Sequence, residues 1–111
     1  MSFFEQELIQ GELQEMTKLY EEIRFMMSYP HEQSLESRKE CLDKLERLVE
    51  LQELLYFRAK YSDDSEAKDF AVMIKQSAIL LGVPSYVDIS EIFAHMRQDI
   101  ERARNKLDKS A

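Results

Sequence analysis

The apolar residues of this chain recur at alternating steps of four and three positions, which is the spacing of one face of an α-helix. Only two glycines and two prolines interrupt the pattern in 111 residues. The first apolar stripe consists of Ile9, Leu13, Met16, Tyr20, Ile23 and Met27, with Leu8, Leu19 and Met26 beside it. The pattern predicts a first helix over residues 3–28.

A second helix is predicted over residues 35–61. Pro30 has no amide hydrogen and interrupts the first stripe, so we expect the chain to reverse direction around it. Ser34 or Ser37 can cap the new helix, and Ser37 with Glu40 has the spacing of a capping box. The second stripe consists of Leu35, Leu42, Leu45, Val49, Gln52, Tyr56 and Ala59, with Leu48, Leu51 and Leu55 beside it. Two helices of similar length joined by a short loop favour an antiparallel hairpin.

A third helix is predicted over residues 64–81. Ser62 or Asp63 can accept hydrogen bonds from the free amides at its start. Gly82 readily adopts the left-handed conformation of a helix C-cap, and Pro84 follows two residues later. We therefore expect the third helix to end at this glycine.

A fourth helix is predicted over residues 88–108. Asp88 and Glu91 have the spacing of a capping box at its start. The fourth stripe consists of Ile89, Phe93, Met96, Ile100, Ala103 and Leu107. The four helices fill nearly the whole chain, and no segment shows the strict alternation that is typical of a strand.

The pattern as a whole predicts an all-α fold with one domain over residues 1–111. Its parts are a long antiparallel helical hairpin and two shorter helices, packed like a bundle. Heptad-like seams can pair within one chain or between two chains. Chains of this length often bury further apolar surface by self-association. We therefore expect a homo-oligomer, with dimerisation as one way to complete the bundle.

Charge limits the classes of partner. The formal net charge is −7, and residues 1–27 contain six acids against two bases. Such an excess opposes binding to nucleic acid phosphates and to anionic lipids. The exception is a basic cluster near the carboxyl end, namely Arg97, Arg102, Arg104, Lys106 and Lys109. For this cluster we favour interaction with solvent and with the negative end of a helix dipole over an RNA-binding patch.

The expected location is the cytoplasm. No apolar run approaches the roughly 20 residues that span a bilayer, and the start MSFFEQELIQ lacks the positively charged leader of a secretory signal. The single Cys41 cannot close an intramolecular disulfide, which fits a reducing compartment. We interpret Cys41 as a small semi-buried residue of its helix, and we expect a soluble protein with neither direct nucleic acid binding nor a membrane partner.

Catalytic and metal-binding patterns are weak. Glu91, His95 and Asp99 lie on one face of the fourth helix and could hold a metal ion, although such lines are common on solvated surfaces. No serine has the partners of a nucleophile, and Cys41 lacks a CxxC companion. A glycine-rich phosphate loop is also absent from the sequence. We predict no enzymatic activity and no cofactor.

The amino-terminal end is the predicted partner-binding region. Phe3 and Phe4 either fold onto this chain's own core or anchor in a groove of another protein, since aromatic residues are enriched at binding hot spots. Gly11 costs about 1 kcal/mol relative to alanine inside a helix, so either the first turns fray or another backbone approaches there. The predicted partner-binding residues are Phe3, Phe4, Leu8, Gly11, Glu12 and Glu15.

Three stretches of the chain resemble a known family. They are the start MSFFEQELIQ, LYFRAKYSDDSEA at 55–67 and GVPSYVDISEIFAHM at 82–96. Together they resemble a family of short helical proteins of unassigned function from cyanobacteria and their phages. The resemblance covers nearly the full length and implies a cytoplasmic protein without assigned catalytic residues. It also implies an association with binding and restraining ribonuclease E.

These observations predict a non-enzymatic interaction protein that binds and modulates a larger cytoplasmic enzyme, with ribonuclease E as one candidate. An acidic first helix would complement a basic nuclease channel by electrostatic steering. One alternative is a structural homo-oligomeric helical bundle with no further partner. Another is a binder of a metal or small molecule in the interhelical core.

Overall fold

The computed structural model describes residues 2–29, 33–80 and 82–110 and contains four α-helices within them. They are α1 (Glu7–Met27), α2 (Leu35–Lys60), α3 (Ser65–Leu80) and α4 (Ile89–Ser110), and no strand occurs in these ranges. The prediction of an all-α, bundle-like fold is confirmed. The predicted reversal at Pro30 and the predicted last residue of the third helix, Leu81, lie outside the described residues.

The amino-terminal turn differs from the predicted continuous helix. Phe3–Glu5 form one turn of 3-10 helix, and Gln6 is extended with φ −64° and ψ 136°, so α1 starts only at Glu7. The side chain of Phe3 is buried in the core. If α1 continued straight back to residue 3, the ring of Phe3 would lie further along the helix axis. The extended conformation of Gln6 instead lets the chain fold back, which places the ring in the core.

Helix α2 is the centre of the fold, because the other three helices all pack against it. It runs antiparallel to α1, as the ion pairs between them show. Glu12 near the start of α1 pairs with Arg58 near the end of α2, whereas Glu22 pairs with Lys44. The predicted antiparallel hairpin is therefore present.

Helix α4 also runs antiparallel to α2. The carboxylate of Glu53 lies 2.8 Å from the guanidinium of Arg97, near the start of α4. At the other end, the ammonium of Lys39 lies 3.2 Å from the carboxylate of Asp108. Helices α1 and α4 thus both run antiparallel to α2, and α3 packs onto α2 as a shorter fourth element.

The apolar core consists of two clusters. The larger one includes residues from the amino-terminal turn and all four helices: Phe3, Ile9, Val49, Leu55, Tyr56, Ala59, Ala67, Ala71, Ile89, Phe93 and Ile100. The smaller one is made by α1 and α2 alone: Leu19, Ile23, Cys41, Leu48 and Leu51. Because α2 is packed on several sides, Leu48, Leu51 and Leu55 beside the predicted stripe are buried as well.

The ends of α3 are fixed by local hydrogen bonds. The N-cap is Asp64, which accepts the N–H of Glu66 at 2.9 Å, one residue after the predicted Asp63. The hydroxyl of Ser62, the other predicted position, accepts the N–H of Asp64 at 3.0 Å just before the helix. At the other end, Gly82 has φ 103°, and its N–H donates to the carbonyl of Ile79 at 3.0 Å. The next N–H donates to the carbonyl of residue 78 at 3.0 Å, which completes a Schellman motif. The predicted glycine C-cap is present.

The molecule is flat and open. Its extents are 48 × 33 × 19 Å, and its radius of gyration is 16.1 Å, whereas a compact domain of this length has about 13 Å. Its accessible surface is 7881 Å², whereas a compact monomer of this size exposes about 6,400 Å². The helices therefore leave surface uncovered that a closed bundle would bury. Within the described ranges, no helix is both long enough and apolar enough to cross a membrane.

Candidate functional site

The two amino-terminal phenylalanines pack onto their own chain. Phe3 is buried, and its ring meets the ring of Phe4 edge to face, with centroids 5.0 Å apart. Phe4 in turn meets Phe70 of α3 at 5.5 Å. The N–H of Phe3 donates to the Asp64 carboxylate at 2.6 Å, and this bond together with the N–H of Glu66 lowers the pKa of Asp64. The structure therefore favours the interpretation in which Phe3 folds onto the core of its own chain. The hydrogen bond from Phe3 to Asp64 also ties the amino-terminal turn to the start of α3.

The two predicted acids of α1 are bound to α2. Glu12 is buried and pairs with Arg58. Glu15 accepts from Nε and Nη2 of Arg47 at 2.8 and 3.1 Å, and these hydrogen bonds lower the pKa of its carboxyl group. Both acids therefore neutralise cations of α2. The acidic charge available for steering is smaller than the sequence suggested, although Glu21 stays exposed.

Leu8 and Gly11 are the two predicted partner-binding residues that lie open on α1. Leu8 is 59% exposed. Gly11 lies within the continuous helix, and a Cβ built there would meet no atom of the described chain within 4 Å. The helix is continuous at this glycine, and no other part of the described chain lies within 4 Å of the added Cβ. The approach of a partner's backbone at Gly11 stays a prediction.

Helix α3 has an inverted distribution of apolar residues. The buried side chains within its described range are small, namely Ala67 and Ala71, whereas Phe70 and Ile74 are only partly buried against the core. Larger apolar side chains point outwards: Val72 and Met73 are each 54% exposed, and Leu80 is 87% exposed. Helices of globular proteins ordinarily bury their large apolar residues. The outward face of α3 is therefore a candidate interaction surface, which sequence reasoning missed.

An apolar cleft lies along one flank of α3. Its volume is about 360 Å³, and all four helices line it. The lining residues are Leu13, Met16, Tyr20, Gln52, Leu55, Phe70, Ile74, Ala78, Ile89, Ile92, Phe93 and Met96. Its main polar feature is the amide of Gln52, which donates to the hydroxyl of Tyr20 at 2.6 Å. We call this space the apolar cleft. It can accept apolar side chains.

A second groove lies along the other flank of α3, between this helix and the end of α2. Its volume is about 500 Å³. Three lysines line it, Lys60, Lys68 and Lys75, together with apolar residues that include Val72 and Ile79. We call it the lysine groove. Residues 68, 72, 75 and 79 follow one side of α3, whereas residues 70, 74 and 78 line the apolar cleft, so α3 separates the two spaces.

Comparison with known families identifies the chain. The family model described as "Domain of unknown function (DUF1825)" matches residues 1–107. The chain belongs to this family. No match was found among curated proteins or among solved structures. The DUF1825 match assigns no activity to the chain.

The basic cluster of this DUF1825 protein has a structural role that the sequence did not reveal. Arg104 pairs with both Asp43 and Glu46 of α2. Arg97 pairs with Glu53 of α2. These two cations of the five connect α4 to α2. Sequence alone could not show this, because the acids that bind them are about 50 positions away.

The candidate metal line and the cysteine also have simple environments. Glu91, His95 and Asp99 lie exposed on α4, and Asp99 pairs with Arg102 at 3.2 Å. Within the part of the chain that the structure describes, no group of three histidines, cysteines or acids could hold a metal ion. Cys41 is buried between α1 and α2, and burial raises the pKa of its thiol, which opposes formation of the nucleophilic thiolate.

Proposed function

We propose that this DUF1825 protein is a non-enzymatic regulatory protein that binds a larger protein through α3 and the apolar cleft. The observation that supports this function is the outward position of Met73 and Leu80 on a helix that buries alanines. These two residues are seven positions apart and share one face of α3. The proposed occupant is the apolar face of an amphipathic helix of the partner.

The uncovered area is large enough for such an interface. The surface exceeds that of a compact monomer by roughly 1,500 Å², and a stable interface of standard size buries about 800 Å² on each partner. Burial of apolar surface contributes about 25 cal/mol per Å² before the costs of association are subtracted. A partner that covers α3 therefore removes from water a surface that the fold itself leaves exposed.

A cytoplasmic enzyme is the proposed class of partner, and ribonuclease E is the first candidate to test. This choice rests on the family resemblance and on a proposed cyanobacterial or cyanophage origin. Exposed acids of α1 such as Glu7 and Glu21 can still favour approach to a basic channel. The test measures cleavage of a fluorescent RNA by purified ribonuclease E at rising concentrations of this protein. We expect inhibition that saturates, and unchanged cleavage at all concentrations would reject ribonuclease E as the partner.

The general proposal is tested by variants of the α3 face. Wild type and the variant Met73→Ser/Leu80→Ser are used for affinity capture from cyanobacterial lysate, with ribonuclease treatment, followed by mass spectrometry. The matched control is Phe25→Ser/Met27→Ser, which removes two exposed apolar residues from the end of α1. We expect one protein to be recovered by wild type and by the control but lost with the α3 variant. Equal recovery by all three would contradict the proposal, provided circular dichroism shows each to be folded.

Self-association is the second candidate, because a second copy could cover the same uncovered surface. Sedimentation velocity over a dilution series separates the two. A dimer that persists in wild type and dissociates in Met73→Ser/Leu80→Ser would make the second copy the occupant of α3. A monomer at all concentrations leaves α3 to another protein.

A further inference from the structure

The lysine groove concentrates unpaired positive charge in an acidic protein. The chain has a formal net charge of −7. Most cations of α2 and α4 that face another helix pair with acids across the interface. By contrast, Lys60, Lys68 and Lys75 form no salt bridge with the described residues, and all three line one groove.

The charges of Lys60 and Lys75 act on one acid, Asp88, but form no salt bridge with it. Asp88 caps α4, and the N–H of Ser90 is the main cause of its lowered pKa, with smaller contributions from the charges of Lys60 and Lys75. One carboxylate that is already bound to a helix amide therefore interacts with two of the three lysines. The ammonium of Lys60 also lies 5.6 Å from the ring centre of Tyr61, so its charge is held at the end of α2. The positive charge of the lysine groove is therefore available to a ligand.

The spacing of the lining residues indicates the shape of that ligand. Lys68 and Lys75 are seven positions apart, which places them about 10.5 Å apart along α3. Val72 and Ile79 have the same spacing and form an apolar strip in the same groove. A helix with acidic and apolar residues in a heptad repeat presents carboxylates and apolar side chains at matching intervals.

A nucleic acid fits the groove less well. Its phosphates would meet three lysines but also the apolar strip, and the overall negative charge of the protein opposes a polyanion of high charge density. An isolated small anion would use the lysines and leave the strip exposed. The combination of cations and apolar residues favours a ligand that has both acidic and apolar groups.

We propose that the lysine groove binds an acidic amphipathic helix of the partner, whose carboxylates pair with Lys60, Lys68 and Lys75 and whose apolar side chains contact Val72 and Ile79. This inference rests on the proposed function, since it names the chemistry of the protein that α3 recognises. It adds a second contact surface to the apolar cleft, on the other flank of the same helix.

The test uses a defined probe. A fluorescent peptide about three heptads long has leucine at positions a and d and glutamate at e and g, and a second peptide has glutamine in place of each glutamate. Fluorescence anisotropy measures the binding of each peptide to the full chain at low and high salt. We expect the acidic peptide to bind at least about tenfold more tightly than the glutamine peptide at low salt, with the difference shrinking at high salt. Equal binding of the two peptides would overturn the proposal.

Charge reversal then locates the binding. Lys68→Glu/Lys75→Glu should weaken binding of the acidic peptide at least about tenfold. Lys18→Glu/Lys109→Glu is the matched control, because it changes the net charge equally at two exposed sites outside the groove. If both variants weaken binding alike, the attraction is only one of overall charge and the groove is not the site. An RNA oligonucleotide that competes with the peptide as well as unlabelled peptide does would also overturn the proposal.

The variants separate this inference from the proposed function. Met73→Ser/Leu80→Ser leaves the lysines and the apolar strip in place. If the α3 variant loses the captured partner while charge reversal does not, the proposed function stands and the acidic helix is wrong. If neither variant affects capture, both proposals fail.

Discussion

Helices α3 and α4 both pack against α2, but they are held there in different ways. Helix α4 buries Ile89, Phe93 and Ile100, and ion pairs with α2 lie along its length. Helix α3 buries Ala67 and Ala71, and among the described residues no salt bridge connects it to another helix.

We infer from this difference that α4 maintains the fold, whereas the outer face of α3 is available to a partner. The small side chains of Ala67 and Ala71 let α3 lie close to α2. Phe70 and Ile74 pack partly against the core, and Val72, Met73 and Leu80 face outwards. A helix used only for stability would have the opposite distribution. We therefore expect changes in α4 to affect unfolding, and changes on the outer face of α3 to affect binding.

The largest expected effect comes from the core of α4. Phe93→Ala should lower the free energy of unfolding by about 3–5 kcal/mol, because it removes a buried ring and leaves a cavity. Met73→Ala on α3 should change it by no more than about 0.5 kcal/mol. Urea unfolding followed by circular dichroism measures both. Similar losses for the two variants would show that α3 supports the fold as much as α4 does.

The next effect concerns the connection between α1 and α2. Arg58→Met leaves the buried carboxylate of Glu12 without its cation, and we expect a loss of about 1–3 kcal/mol of unfolding free energy. The double variant Glu12→Gln/Arg58→Met removes the unpaired charge and should recover part of the loss. A double variant that is less stable than Arg58→Met would contradict this account.

The attachment of α3 is expected to depend on pH. The folded-state pKa of Asp64 is depressed by the N–H groups of Phe3 and Glu66. Its contribution to stability is therefore present above the unfolded pKa of about 3.9 and is lost as pH falls through the folded value. Asp64→Asn should melt at a lower temperature than wild type at pH 7, and the difference should vanish at the acid end of the titration. Asp63→Asn changes the exposed neighbouring residue and is the control; it should melt like wild type at pH 7.

A smaller effect of opposite sign is expected at Gly11. Alanine fits the open space around this helical position and should raise stability by about 0.5–1 kcal/mol. If a partner's backbone approaches there, Gly11→Ala should also weaken capture of the partner although the protein is more stable. Unchanged capture would remove Gly11 from the partner-binding residues and leave α3 as the interface.

Local signals in the sequence were sufficient for the helices and several of their ends. The alternating stripes identified all four helices, and Gly82 identified the end of α3, because the left-handed conformation is accessible to glycine within a single turn. The capping role of Asp88 was also local. By contrast, the N-cap of α3 is Asp64, next to the predicted Ser62 and Asp63, and its carboxylate also accepts the N–H of Phe3, which is 61 positions away.

The candidate site was not predictable from periodicity. Phe3 was assigned both a core and a partner-binding interpretation, and only the turn that folds it back favours the first. In α3, the sequence contains the large apolar residues Phe70 and Ile74, but it could not show that Ala67 and Ala71 would take the most buried positions. Which flank of a helix meets its neighbour depends on long-range packing, and so does the pairing of Arg104 with α2.

The central claim is that the outer face of α3 touches another protein, and site-specific photo-crosslinking tests it most directly. A benzophenone amino acid replaces Met73 in one strain and Phe25 in a second strain of the organism that expresses the protein naturally. Both positions are exposed. The account predicts a heavier crosslinked species from position 73, containing a different protein, and little or none from position 25. Crosslinking from position 25 alone, or none from position 73 with folded protein present, would contradict it.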